Sequence, residues 1–370
     1  MIASPHFFKK RIMNYDFFLY LCTQETHNTM KKFNARTYLY IAAAGITIIL
    51  LLTILHVVIP VSKSDQTVYL YIDQDDTRDS VLAKIAPFSN HMGLHGLGML
   101  MRHSSYDKNI HTGRYAIEPH DGAFIVFRHL KNGQQQSMRL TIPESRTIDR
   151  LAGYLGRKLM VDSLEFLQAF TDSATLHKLG YDTCTVSAMF VPNTYDVYWN
   201  ISTDAFLQRM QKEHDRFWSG DRTAKAQRLA LSPNEVCTLA SIIDEETSNN
   251  QEKPMIAGMY LNRLREHMPL QADPTIKFAL KQFELKRIWQ NHLRIESPYN
   301  TYRYEGLPPG PIKIASIQGI DAVLNATQHD YLYMCAKEDF SGTHNFARTY
   351  REHLQNAARY SNALNARGIK

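Results

Sequence analysis

From Thr37 to Ser62 the chain carries no formal charge, and that stretch limits what its N-terminal part can be. Within it, Tyr38 to Ile59 reads YLYIAAAGITIILLLTILHVVI. As a helix at 1.5 Å per residue it spans about 33 Å, enough for a hydrocarbon core of roughly 30 Å. A cleaved signal peptide is the competing reading. It calls for a shorter apolar region, about 7–15 residues, ending in a small-x-small site. The stretch instead runs on as HVVIPVSKSD, so an uncleaved transmembrane helix over 37–59 is expected. Lys31, Lys32 and Arg36 precede it, which places residues 1–36 in the cytoplasm and everything after about Ser62 outside. Residues 1–29 show no pattern, whereas Met30 opens MKKFNARTYLY. Met30 is therefore the expected start of translation.

The placement of charge narrows the function classes. Of the formal net charge of +6, residues 1–36 contribute +4, from six basic and two acidic side chains. The rest of the chain is nearly balanced and offers no dense basic face for nucleic acid. Cys22, Cys184, Cys237 and Cys335 have neither metal nor redox spacing, so buried free thiols are expected.

Beyond the apolar span the pattern changes twice. TVYLYI (67–72) alternates like a strand, and DDTRDSVLAKIA follows with helix-start residues and the apolar set Val81, Leu82 and Ile85. Gly113-Arg-Tyr-Ala-Ile reads as a strand and Ala123-Phe-Ile-Val-Phe as a buried element, with a turn at Asn132-Gly133. These pieces define a small α+β module over 65–138. A larger mixed α+β domain over 139–365 opens with the strand MRLTI and is mostly helical to about 280. Helices are expected at 203–218, 222–230, 233–247 and 253–267, and a long Pro/Gly-rich loop at 296–313. A buried strand at Tyr331–Ala336 and a last helix from about Ala347 to Ala363 complete the domain.

The most informative helix begins at Ser232-Pro-Asn-Glu235. Ser232 suits an N-cap, Pro233 the first helical position, and Glu235 the returning partner of a capping box. Val236, Leu239, Ala240 and Ile243 then mark one apolar face. Asp244, Glu245 and Glu246 follow in a row. On a helical wheel Glu245 points to solvent, while Asp244 and Glu246 flank the apolar face, Glu246 nearer its centre. A carboxyl at the edge of a buried surface has its pKa raised by desolvation, as a general acid for glycosidic cleavage requires. By itself the pattern also fits an ordinary acidic helix end. The downstream loop with Tyr299-Asn-Thr-Tyr302 and Gly306-Leu-Pro-Pro-Gly310 suits sugar binding by its aromatic faces and amides, and equally suits an ordered structural loop. Metalloprotease, nucleophile-elbow, P-loop and dinucleotide fingerprints are missing. No metal or cofactor is expected.

Taken in order, ASIIDEET (240–247), MYLNRL (259–264), LQADPT (270–275), YNTY (299–302), GLPPGPI (306–312), YLYMCA (331–336) and THNF (343–346) resemble the endolytic murein transglycosylase family, the YceG-like proteins. FVPNTYDVYW and the segment GRYAIEPHDG resemble it too. The resemblance covers roughly residues 67–355. It implies a single anchor helix in the bacterial inner membrane, a LysM-like module and a catalytic domain with one essential glutamate, matched here by Glu246. By the same resemblance Ser241, Asn262, Gln271, Asp273, Tyr299, Asn300, Thr301 and Tyr302 are candidate substrate-binding residues. The implied substrate is the peptidoglycan glycan strand, cut at the MurNAc–GlcNAc bond to limit or terminate nascent strands, with peptidoglycan synthases as possible partners. Most glycosidases need two carboxyls. A lytic transglycosylase uses the sugar's own C6 hydroxyl, so one glutamate protonates the leaving oxygen and then takes the hydroxyl proton. A 1,6-anhydro-MurNAc end results. A non-catalytic peptidoglycan-binding scaffold and a muramidase-type hydrolase are the rival readings. Relatives often carry glutamate at Asp244, and asparagine-proline-glycine where this chain has Ile314-Ala-Ser316.

Overall fold

The computed structural model describes residues 35–285 and 287–368. The segment with Met30, Cys22 and the lysines before the apolar span lies outside them. The described chain forms two compact units, one up to residue 111 with 115–134, the other 112–114 with 135 onward.

In the first unit, α1 (Ala35–Val58) has no buried residue and a mean hydropathy of 2.6, as the apolar span requires. β1 (Val68–Ile72) turns Leu70 and Ile72 inward. Thr77 and Ser80 close a capping box at the start of α2 (Arg78–Ile85), and Asn90 caps α3 (His91–His103). β2 (Gly113–Ile117) pairs with β1 and buries Tyr115 and Ile117. The segment from Ala123 is a helix, α4 (Ala123–Lys131), burying Ala123, Val126, Phe127 and Leu130 at i, i+3, i+4 and i+7. The unit begins earlier than residue 65. Val61 is fully buried, and its N–H bonds to the Asp121 carbonyl at 2.8 Å.

The second unit opens with β3 (Met138–Thr141), α5 (Ile148–Gly156), α6 (Ser163–Thr171) and α7 (Ser173–Lys178). β4 (Thr194–Val197) pairs antiparallel with β3, Met138 opposite Val197 and Thr141 opposite Thr194. α8 (Thr203–Trp218) and α9 (Asp221–Arg228) lead to α10 (Pro233–Glu246) and α11 (Lys253–Arg265), close to the sequence expectation. α12 (Asp273–Leu280) opens on Asp-Pro-Thr, and α13 (Ile317–Leu324) follows the long loop. β5 (Tyr333–Ala336) and β6 (His344–Ala347) form an antiparallel hairpin, and α14 (Tyr350–Ala366) closes the chain. β5 is only half-buried along its length, not the buried strand its apolar composition suggests, because its one partner leaves it partly uncovered.

α10 organises this unit. Ser232 and Glu235 make the expected capping box with Pro233 in the first turn. Every residue from Val236 to Ile243 is buried, so the helix is covered on all sides rather than along one stripe. Its neighbours include α11, α12 and α13. Its C-terminal acids therefore emerge inside the domain.

Candidate active site

The three consecutive acids meet three different environments. The Asp244 carboxylate, 1% exposed, accepts from Lys253 Nζ at 2.7 Å and from the Ser316 backbone N–H and hydroxyl at 2.7 and 2.8 Å. Ser316 is the N-cap of α13. Asp244 thus ties α10 to the starts of α11 and α13. A Cβ on Gly319 would sit 2.5 Å from the Asp244 carboxylate, so this approach needs glycine. Glu245 does not point freely to solvent. It pairs with Arg146 at 3.0 Å and Lys313 at 3.6 Å, because neighbouring chain reaches round the end of the helix.

Glu246 lines a cleft of about 360 Å³ together with Met259, Tyr260, Arg263, Gln271, Asp273 and Tyr302. The β5–β6 hairpin and α14 add Cys335, His344 and His353. Tyr260 Oη donates to Glu246 Oε1 at 2.9 Å. Burial pushes the Glu246 pKa up to about 7; the Tyr260 bond opposes the rise, and the nearby charge of Asp273 adds to it. A carboxyl in this state can give up a proton near neutral pH and take one back.

The candidate substrate residues divide sharply. Gln271, Asp273 and Tyr302 line the cleft with Glu246, and Tyr302 Oη donates to Asp273 Oδ1 at 2.6 Å. Ser241 is fully buried, its hydroxyl donating to the Thr238 carbonyl and accepting from the Ile312 N–H. Asn262 donates to the carbonyls of His329 and Tyr331. Asn300 is fully buried and donates to Leu293 and Ile295. The buried Thr301 hydroxyl accepts from the Ala272 N–H and meets Thr275. Tyr299 packs on Phe278 at 4.7 Å and lines a separate cavity. These five residues lie outside the Glu246 cleft and build its framework. Composition could not separate the two groups, since Asn, Thr and Tyr serve backbone carbonyls as readily as sugars.

Arg263 and Tyr260 were missed among the candidates, although both lie in the MYLNRL stretch. The Arg263 guanidinium is nearly buried and donates to the carbonyls of Leu332, Pro269 and Leu270 and to Gln271 Oε1. It holds Gln271 in the left-handed region, φ +52°, a conformation uncommon for a side-chain-bearing residue.

Residues 70–359 match the YceG-like family. The chain belongs to that family. An endolytic murein transglycosylase of Bacillus subtilis is 37% identical over 142 residues, covering 38% of this chain and 39% of that protein. One from Streptococcus pneumoniae is 28% identical over 253 residues, covering 60% of this chain and 45% of that protein. The chain thus spans less than half the length of these relatives. A crystal structure of a YceG-like protein from Listeria monocytogenes superposes with a TM-score of 0.51 at 23% identity, covering 79% of this chain and 99% of that one. The mixed α+β YceG-like fold is therefore shared.

Proposed function

We propose that this YceG-like protein is a membrane-anchored endolytic peptidoglycan transglycosylase with Glu246 as its acid and base. The observation that carries the reading is a single glutamate, its pKa about 7, lining a cleft built from the family's segments. Protonated Glu246 delivers its proton to the leaving GlcNAc oxygen as the MurNAc C1–O bond breaks. The resulting carboxylate takes the C6 hydroxyl proton as that oxygen bonds to C1, closing a 1,6-anhydro end without consuming water. Tyr260 Oη holds the carboxylate in place between the two steps. Gln271, Asp273 and Tyr302 bind the glycan directly, while Ser241, Asn262, Tyr299, Asn300 and Thr301 hold the segments that carry them.

The anchor reading rests on the uncharged α1, with the N-terminus cytoplasmic and the enzyme on the outer side of the inner membrane, where strands are made by synthases it would work beside. A LysM-like role for the module expected over 65–138 is supported by its strand–helix–helix–strand order with β1 paired to β2. A muramidase-type hydrolysis is the second reading, favoured by Asp273, another carboxylate on the cleft. Digestion of purified sacculi with the full chain, read by mass spectrometry, separates the readings. Anhydro-muropeptides are expected. Reducing ends heavier by one water would make the protein a hydrolase, and intact sacculi would leave a binding scaffold.

A further inference from the structure

His344 and Glu252 form a pair that the proton chemistry of Glu246 does not use. Glu252 sits at the N-cap of α11, where the helix end favours negative charge. It is nearly buried, and its two oxygens both serve one residue. Oε1 accepts the His344 backbone N–H at 2.7 Å and Oε2 meets His344 Nδ1 at 3.0 Å. A carboxylate can only accept here, so Nδ1 carries a proton and the ring cannot turn over. In the neutral ring Nε2 is then a bare acceptor. The ring lines the Glu246 cleft, and its side chain keeps 15% of its surface exposed. A residue needed only to pin β6 to α11 would be satisfied by the backbone bond alone. Here a buried carboxylate also fixes the tautomer of an imidazole at the cleft wall, the way outer carboxylates orient working histidines.

We propose that His344, oriented by Glu252, is a substrate-binding residue whose Nε2 accepts a hydrogen bond from a hydroxyl or acetamide N–H of the glycan. The proposal rests on the glycan-cleaving reading of the cleft. Each N-acetylated sugar offers both kinds of donor. Arg263 on this wall has no acceptor, while the Tyr302 and Tyr260 hydroxyls, their protons given to Asp273 and Glu246, keep oxygens that can accept alongside His344. A fixed acceptor therefore supplies what a sugar's donors require.

The test is nitrogen-15 NMR of histidine-labelled full chain in detergent, carrying Glu246→Gln so that glycan survives, with His344→Gln added to assign the ring. At alkaline pH, where an imidazole is neutral, His344 without glycan should show a protonated Nδ1 and an unprotonated Nε2, and the reverse pattern would overturn the proposal. Titration with a soluble uncrosslinked glycan strand should move the Nε2 resonance and leave Nδ1 nearly still. In the otherwise native chain, His344→Gln and His344→Phe should raise KM about 3–10-fold, the range of one neutral hydrogen bond, with kcat falling less. Cleft resonances that move while Nε2 stays fixed would overturn the proposal, as would wild-type KM in both variants. If glycan moves no resonance at all, the glycan reading of the cleft fails and takes this inference with it. If Glu246→Gln still cleaves, only the catalytic assignment of Glu246 fails, and the Nε2 response remains decisive for His344.

Discussion

Replacing Glu246 with glutamine separates its two properties, the titrating proton and the buried charge. The amide oxygen can still accept from Tyr260 Oη, so the cleft keeps its shape, while the proton needed by the leaving oxygen is gone. General acid–base help is worth about 10²–10⁴-fold, and anhydro-muropeptide release should fall by at least that. Stability should move the other way. Below pH 4.5, the ordinary glutamate value, the carboxyl is protonated in the folded and unfolded chain alike. Between 4.5 and about 7 the unfolded chain releases a proton that the folded one keeps, so stability declines as pH rises through this window. Above it the cost of holding a buried anion is complete, at most about 3 kcal/mol given about 1.36 kcal/mol per pH unit. Glutamine never ionises and avoids that cost. Glu246→Gln should therefore melt at the same temperature as wild type at pH 4.5 and higher than wild type at pH 8, by calorimetry. Cleavage within tenfold of wild type would remove Glu246 from the chemistry. A variant no more stable at pH 8 than at pH 4.5, relative to wild type, would show that the carboxyl is not held in a desolvated state.

Two further substitutions probe its neighbours. The Tyr260 hydroxyl bond holds the Glu246 pKa down, so Tyr260→Phe should move the alkaline fall of kcat/KM to higher pH; an unmoved limb would mean that the bond is not made in solution. Asp244→Asn should cost about 3–5 kcal/mol by stranding the buried Lys253 ammonium, read as a lowered midpoint in urea. Near-wild-type stability would refute the role of this pair in fastening α10 to α11 and α13.

Much of the helical skeleton was readable because its signals are local. The caps at Ser202 and Ser232, the proline that follows Ser232 and the 3.6-residue apolar repeats place α8, α10 and α11 within a residue or two. α13 escaped notice because its first turn follows a long irregular loop, and its Ser316 cap gains meaning only from the distant Asp244. The start of the first unit at Val61 was hidden for a related reason. Val61 and Ser62 look like the tail of the apolar span, and only the Val61 bond to Asp121 and the bridge from Ser62 to Ser89, some distance along the chain, reveal where they belong.

The site shows where periodicity stops being informative. A helical wheel assumes one wet side, and on that assumption Glu245 is solvated while Asp244 and Glu246 flank the apolar face, Glu246 nearer its centre. α10 has no wet side between Val236 and Ile243, so the fate of each acid is set by what happens to lie against it. Asp244 meets a lysine and a helix N-terminus and becomes a fastener. Glu245 meets Arg146 and Lys313 and is neutralised by them. Glu246 meets a tyrosine hydroxyl and an open cleft, with no salt bridge to it among the described residues, the more distant Lys277 only easing its charge. Burial pushes its pKa up to about 7, and proton transfer near neutral pH calls for that property. The assignment of Glu246 by resemblance to a family motif and its assignment by environment are thus independent arguments. On the second, of three adjacent acids in this chain, the chemistry proposed above would fall to the one that forms no ion pair among the described residues.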